Sequence, residues 1–306
     1  MALPIANLHA FTKSPDRRVE NPTLMDAEPR LLDDRRPSEE RLWRQILGVA
    51  AGANIVCPSD AGGDVSFWGL YHPVAAAGGA SPFVIGQLGQ SLDGRIATAT
   101  GQSRYINGPE AIRHLHRLRA LVDAVIVGID TVVADDPRLT VRHAPGGESN
   151  GSGPARVVID PNFRLPPDAR ILADDGVPVF AVQSRHGARP ASVTPIVIAA
   201  VDGKIPPAAI IRAVAALGYR RILVEGGSRT LSMFLAAGAL DRLHLCIAPM
   251  VIGSGPIGIT LPPIDLLDAA VRPRTVVHHL GGDVLFDCAL DSVPADPGTM
   301  LVSTIA

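Results

Sequence analysis

The chain has 306 residues, of which 47% are hydrophobic, 19% charged and 4% aromatic, and its formal net charge is −2. That supplies a sizeable apolar core in one large domain or two small ones. Near-neutral charge gives no global attraction to nucleic acid or an anionic membrane, so neither partner is expected and any anionic ligand must be held by local positive groups.

Residues 1–37 are polar, with the charge cluster Asp33-Asp34-Arg35-Arg36-Pro37, and read as mobile or draped on a surface. Met1 to Ala10 lack the basic flank and apolar run expected of a signal peptide. Ser38 stands where it can cap a helix through Trp43, Ile46 and Leu47, which share one face. Residues 48–80 are rich in Gly and Ala, and 1–80 as a whole reads as an N-terminal extension of unassigned role. From 81 the pattern becomes regular, and a single domain is expected over 81–291, followed by a C-terminal tail over 292–306. Strands are predicted at 82–88, 124–129, 156–159, 177–182, 195–199, 220–224, 242–248 and 284–290, and helices at 108–121, 206–217 and 228–237. A Gly- and Ser-rich surface loop is expected over 144–154. The uncharged stretch 243–264 carries four glycines or prolines between 249 and 256 alone, so it reads as a strand plus loop, not a membrane span; its run 243–252 suits a core strand or an interface strand. Alternating strands and helices predict an α/β domain whose largely parallel sheet is covered on both faces.

The odd, scattered cysteines Cys57, Cys246 and Cys288 form no Cys-x-x-Cys pair and read as free thiols in a reducing cytoplasm. His114 and His116 lie two apart on a helix and so on different faces; His278-His279 reads as strand or loop surface, and no metal site is expected. The strongest local motif is Glu225-Gly226-Gly227-Ser228, directly after an apolar strand and opening a helix. Glycines there admit a ligand close to the backbone, and free N–H groups at a helix start favour an anion. Glu225 falls at the carboxyl end of its strand, where open α/β sheets place ligands. A second motif is the turn Ser91-Leu92-Asp93-Gly94-Arg95-Ile96-Ala97. In a third, a buried strand runs from Gly128 into Asp130, Thr131, Asp135, Asp136, Arg138, Leu139, Thr140 and Arg142. Thr131 and nearby amides suit a cofactor phosphate, and Arg142 suits bidentate contact with a substrate phosphate.

Taken in order, Ser91–Ala97, Gly101-Gln102-Ser103-Arg104-Tyr105-Ile106-Asn107-Gly108-Pro109-Glu110, Leu118-Arg119, Asp123–Gly128, Thr131–Pro137, Leu139–Arg142, Val158-Ile159-Asp160 and Glu225-Gly226-Gly227 resemble the reductase domain of the bifunctional riboflavin-biosynthesis deaminase/reductase and its stand-alone relatives. The resemblance spans about residues 82 to 290. It implies a dihydrofolate-reductase-like three-layer αβα fold, with NADPH across the carboxyl edge of the sheet. It also implies a cytoplasmic, homodimeric enzyme that reduces a ribosylamino-pyrimidine 5′-phosphate to the ribitylamino form, by hydride transfer to C1′ of the opened sugar. By the same resemblance Ser103, Arg119, Leu139, Arg142 and Glu225 meet the substrate, while Gly89, Tyr105, Thr131, Asp135, Gly226, Gly227 and Ser228 meet NADPH. Glu225 and Asp135 are the expected catalytic carboxylates. Many relatives carry Lys, Glu and Trp where Gln87, Gln102 and Tyr105 stand. Those departures leave open a same-fold reductase acting on another aminopyrimidine, pterin-like or sugar-amine substrate; a non-catalytic nucleotide-binding module is the remaining alternative. Neither His-x-Glu nor Pro-Cys-x-x-Cys occurs, so zinc-dependent deamination is not expected.

Overall fold

The computed structural model describes residues 36–57, 65–145, 153–290 and 300–302. The expectations for residues 1–35, and for most of the 144–154 loop, fall outside them. In chain order the elements are α1 (Arg36–Ala50), α2 (Val65–Ala75), β1 (Phe83–Ser91), α3 (Pro109–Leu121), β2 (Ala124–Gly128), α4 (Ile129–Asp135), β3 (Ala155–Ile159), β4 (Val179–Gln183), β5 (Val193–Val197), α5 (Pro207–Ala216), β6 (Arg221–Glu225), α6 (Ser228–Ala236), β7 (Arg242–Ala248), β8 (Arg274–Leu280), β9 (Asp283–Ala289) and β10 (Met300–Val302).

The strands form one sheet in the order β10-β8-β9-β7-β1-β6-β2-β3-β4-β5. Pairing is parallel throughout except where β9 runs antiparallel between β7 and β8. The fully buried strands β2, β3 and β4 are short runs dominated by Val, Ile, Ala and Phe, with Arg156 and Gln183 buried among them, as expected for strands with helices on both faces. Apolar side chains collect in two clusters. One gathers α1–α4 against one face, and the other gathers α5 and α6 against the opposite face. The result is a three-layer αβα domain. Because β7 lies between β1 and β9, the 243–252 run begins as an interior strand and is not an edge available to a partner.

Four features depart from the sequence reading. Residues 38–57 and 65–80 do not stand apart from the sheet domain, since Leu42, Trp43, Ile46, Phe67, Leu70, Tyr71 and Val74 join the same core cluster as β2 and β3. Burying such side chains contributes roughly 1.5–3 kcal/mol each, which makes α1 and α2 part of the domain's stability. Helix α2 is apolar nearly all round, so it carries no helical periodicity to read. Its Pro73 has no N–H to give Gly69, and the Gly69 carbonyl accepts from Arg242 Nη2 instead, at 3.4 Å. Second, residues 129–135 turn into a short helix where a strand end and loop were expected; Asp136, at φ 41°, caps it by donating its N–H to Val132 O. Third, β8 was not anticipated: His279 is exposed, but His278 is buried. Fourth, the expected tail contains β10, paired in parallel with β8.

A polar row crosses the α3-covered face of the sheet. In register, Glu225 of β6 neighbours Gln87 of β1, Gln87 neighbours His244 of β7, and His244 neighbours Asp287 of β9. All four are buried. Side chains of α2 and α3 pack against the inner half of the row. Tyr71 Oη lies 2.9 Å from His114 Nδ1, and His114 Nε2 lies 3.0 Å from His244 Nδ1. His244 Nε2 lies 3.2 Å from the Asp287 carboxylate, which also accepts from Arg242 Nε at 2.5 Å. Asp287 can only accept, so the protons order themselves. His244 keeps its proton on the Nε2 that faces Asp287, His114 donates Nε2–H to His244 Nδ1, and Tyr71 donates to His114, with both imidazoles neutral. Burial, above all, pushes both histidine pKa values below the ordinary range, further for His114.

Candidate active site

The carboxyl ends of β1, β2 and β6 open into a cleft of about 590 Å³, within the range of cofactor and ligand sites. Of the twelve residues singled out by sequence, ten line it: Gly89, Ser103, Tyr105, Arg119, Thr131, Asp135, Leu139, Glu225, Gly226 and Gly227. Ser228 and Arg142 stand outside the lining. Gln87 lines the cleft and Gln102 does not, so only the first of these two departures faces a ligand.

Glu225 ends β6 and meets Arg119 from the last turn of α3. Arg119 Nε donates to Oε1 at 2.9 Å and Nη2 to Oε2 at 2.7 Å, while Nη1 donates to the Thr140 carbonyl at 3.2 Å. Both side chains are at least nine-tenths buried. The guanidinium is therefore engaged on three sides, and its structural effect is to hold the carboxylate and the 139–142 segment. Each Glu225 oxygen keeps a lone pair for a ligand in the cleft. His116, given no role from sequence, supports the same segment: its Nδ1 accepts the Arg142 N–H at 3.1 Å. Burial, then the charges of Arg119 and Arg142, push its pKa down to about 3, which keeps it a neutral acceptor. Leu139, at φ 53°, turns the chain here with its side chain in the core.

The glycine turn after β6 is built around α4. Gly226 adopts φ 92°, and a Cβ there would lie 2.8 Å from Thr131 Oγ1. Thr131 Oγ1 accepts the Gly227 N–H at 2.8 Å. That N–H is thus not free for an anion, contrary to the simple phosphate-cradle picture; the hydroxyl proton of Thr131 is, together with the start of α6. Across the opening, Ser103 Oγ donates to Asp135 Oδ1 at 3.0 Å. Tyr105, at φ 67°, is 83% exposed, so its ring is free to cover a ligand. Arg142 faces no carboxylate among the described residues. Burial, then Arg119, Arg170 and Arg138, lower its pKa, so the Arg142 side of the cleft is a field of positive charge suited to a phosphate.

The Ser91–Ala97 turn forms one wall by clasping a distant loop. Asp93 accepts from Ser91 Oγ at 2.5 Å and from the Ile252 and Gly253 N–H groups at 3.0 and 2.7 Å, and these bonds, the hydroxyl's first, hold its pKa at about 2. Arg95 donates to the Gly253 and Gly255 carbonyls at 3.0 and 3.1 Å. This brings Pro256 beside Ile96 and Ala97 in the cleft lining. The sequence showed an Asp-Gly turn but not its partner, 160 positions on.

Comparison with known proteins places residues 82–277 under the family model of the RibD C-terminal domain. The chain is 39% identical over 177 residues to a protein of Methanothermobacter thermautotrophicus named 2,5-diamino-6-ribosylamino-4(3H)-pyrimidinone 5′-phosphate reductase, covering 56% of this chain and 80% of that protein. It is 35% identical over 214 residues to the riboflavin biosynthesis protein RibD of Escherichia coli, covering 66% of this chain and 58% of that one. Among solved structures, RibD of Acinetobacter baumannii superposes with a TM-score of 0.61 at 26% identity, covering 74% of this chain and 63% of that chain. The chain thus spans most of the archaeal reductase but under two thirds of these RibD proteins.

Proposed function

The chain belongs to the RibD C-terminal domain family, and from that premise we propose that it is an NADPH-dependent reductase that converts a ribosylamino-pyrimidine 5′-phosphate to its ribitylamino form. The observation that carries this reading is the buried Arg119–Glu225 pair, held at the mouth of β6 beside a glycine turn and opposite the Ser103–Asp135 contact. Gly89 and Gly226, where a Cβ would collide with Asn107 Oδ1 and Thr131 Oγ1, let these two polar side chains close on the backbone at the cleft wall. NADPH, when bound, supplies the hydride.

The residues of the chain do the rest. Glu225, oriented by two guanidinium contacts, binds ribose hydroxyls and moves a proton as the sugar opens. The Arg142 side of the cleft holds the 5′-phosphate. Thr131 Oγ and the start of α6 take cofactor phosphate. Asp135 holds Ser103 in place beside the substrate. Tyr105 covers the reacting rings, and alignment of the two reacting carbons provides much of the acceleration. No helix among the described residues is long and apolar enough to cross a membrane. Exposed Leu266, Leu267 and Val271 offer apolar surface for a homodimer.

The test is NADPH oxidation by the purified protein with the ribosylamino-pyrimidine phosphate, in deaminated and undeaminated forms. Steady turnover with one form supports the reading and identifies the branch. Tight NADPH binding without turnover on either transfers the reading to another aminopyrimidine or sugar-amine substrate, an alternative favoured by the neutral Gln87 in the cleft. Failure to bind NADPH refutes it.

A further inference from the structure

Asn107 lies between exposed Tyr105 and the start of α3, and it lines the cleft. Its Nδ2 donates to Cys246 Sγ at 3.4 Å, and the amide lies near enough to Asp283 to lower that carboxyl's pKa against the effect of burial. Asp283 is buried, and its Oδ2 is fixed by the Gly108 N–H at 2.7 Å. The contact with Cys246 Sγ turns the NH2 of Asn107 to that side, and the nearby Asp283 carboxylate, which only accepts, favours the same orientation. The amide oxygen is then forced to the opposite side, over Gly89. The geometry agrees: a Cβ on Gly89 would lie 1.9 Å from Asn107 Oδ1 but 3.8 Å from Nδ2. The protein therefore holds an oriented acceptor over bare β1 backbone, and any side chain at position 89 would displace it.

We propose that Asn107 is a ligand-binding residue whose Oδ1 accepts from a planar N–H donor of a bound ring, with Asp283 as the positioning residue that sets the orientation of the amide. Two ligands of the proposed reaction carry such a donor: the carboxamide of the nicotinamide and the aminopyrimidine. The ligands are taken from the reductase reading; the acceptor's placement is independent of it. Gly89 completes the arrangement by leaving room for the oxygen.

Equilibrium binding of NADPH and of the ribosylamino-pyrimidine phosphate, each measured by calorimetry, tests this with Asn107→Ala, Asn107→Ser and Asp283→Asn. Loss of one neutral hydrogen bond predicts a Kd about 10-fold higher for one ligand in Asn107→Ala, with partial recovery in Asn107→Ser, which keeps an acceptor. A shift for NADPH assigns the donor to the carboxamide; a shift for the pyrimidine assigns it to the substrate. Asp283→Asn, which can still accept from Gly108 N–H but no longer dictates the amide's orientation, weakens the same ligand about 3-fold at an unchanged melting temperature. A purely structural role would instead lower the melting temperature and leave both Kd values alone. Unchanged Kd for both ligands in folded Asn107→Ala overturns the proposal; if that variant does not fold, unchanged values in Asp283→Asn overturn it. Wild-type protein that binds both ligands without turnover would sink the reductase reading while leaving this test readable.

Discussion

Acid should destabilise this protein well above the carboxylate range, through histidines that the fold keeps neutral. His114 and His244 are buried in a chain whose donor directions leave no acceptor for an extra proton, and His116 spends its Nδ1 lone pair on the Arg142 N–H. All three have pKa values below the ordinary 6.5, to about 3 for His116. Above pH 6.5 they are neutral in both folded and unfolded chains, and their stabilising contribution is complete. As pH falls below 6.5 the unfolded chain takes up a proton at each site and the folded chain does not, so stability declines. Integrated from pH 7 to pH 5, the loss is about 2 kcal/mol per histidine, or about 6 kcal/mol for three as an upper bound. Asp287 adds to the loss only below about pH 4, since its folded pKa lies far under the usual value. Asp283, raised by burial, opposes it slightly there. Urea unfolding at a series of pH values, followed by the fluorescence of buried Trp43 and Trp68, reads the free energy directly. His114→Gln keeps a donor and an acceptor but cannot titrate, so it should remove about one third of the slope below pH 6. A flat profile between pH 7 and 5, or an unchanged slope in His114→Gln, would refute the ordered neutral chain.

Other expectations are local. Glu225→Gln should slow turnover at least about 100-fold, and it should also lower stability by about 1–3 kcal/mol, because buried Arg119 loses its counter-charge; paired kinetics and thermal melts check both, and full activity would remove Glu225 from the chemistry. Gly226→Ala combines φ 92° with a Cβ 2.8 Å from Thr131 Oγ1, so NADPH affinity should fall by about 10-fold or more, at a stability cost of roughly 1 kcal/mol or above; wild-type affinity by calorimetry would show that the turn does not contact cofactor. Thr131→Val should leave the Gly227 N–H without its partner and cost about 1–3 kcal/mol, whereas Thr131→Ser should be nearly silent in the same melts. Arg142→Ala should raise KM for the phosphorylated substrate and leave NADPH affinity unchanged; an equal loss in both would argue for a shared phosphate field.

Much of this protein is legible from the order of its residues alone. Short runs rich in Val and Ile such as Ala124–Gly128 and Ala155–Ile159 announce buried strands, and Glu225-Gly226-Gly227 announces a glycine turn at a strand end, because both signals are local. The parts that were not legible depend on what lies opposite. Helix α2 has no polar face, so its pattern does not separate it from loop or strand until the core it enters is known. His278 looks like a surface histidine, and His114 merely like one face of a helix, until β7 and β9 bring His244 and Asp287 against them. Sequence likewise nominated Arg119 and Glu225 separately, but it could not say that they bind one another; residues 106 apart meet only because α3 crosses the sheet above β6. The orientation of Asn107 is the extreme case, for an amide looks the same from either end in a sequence, and only Cys246 and the buried Asp283 carboxylate, 139 and 176 positions away, favour one end over the other. Local propensity and motif chemistry are written in the chain, whereas partnership, burial and proton direction arise when distant segments exclude water together.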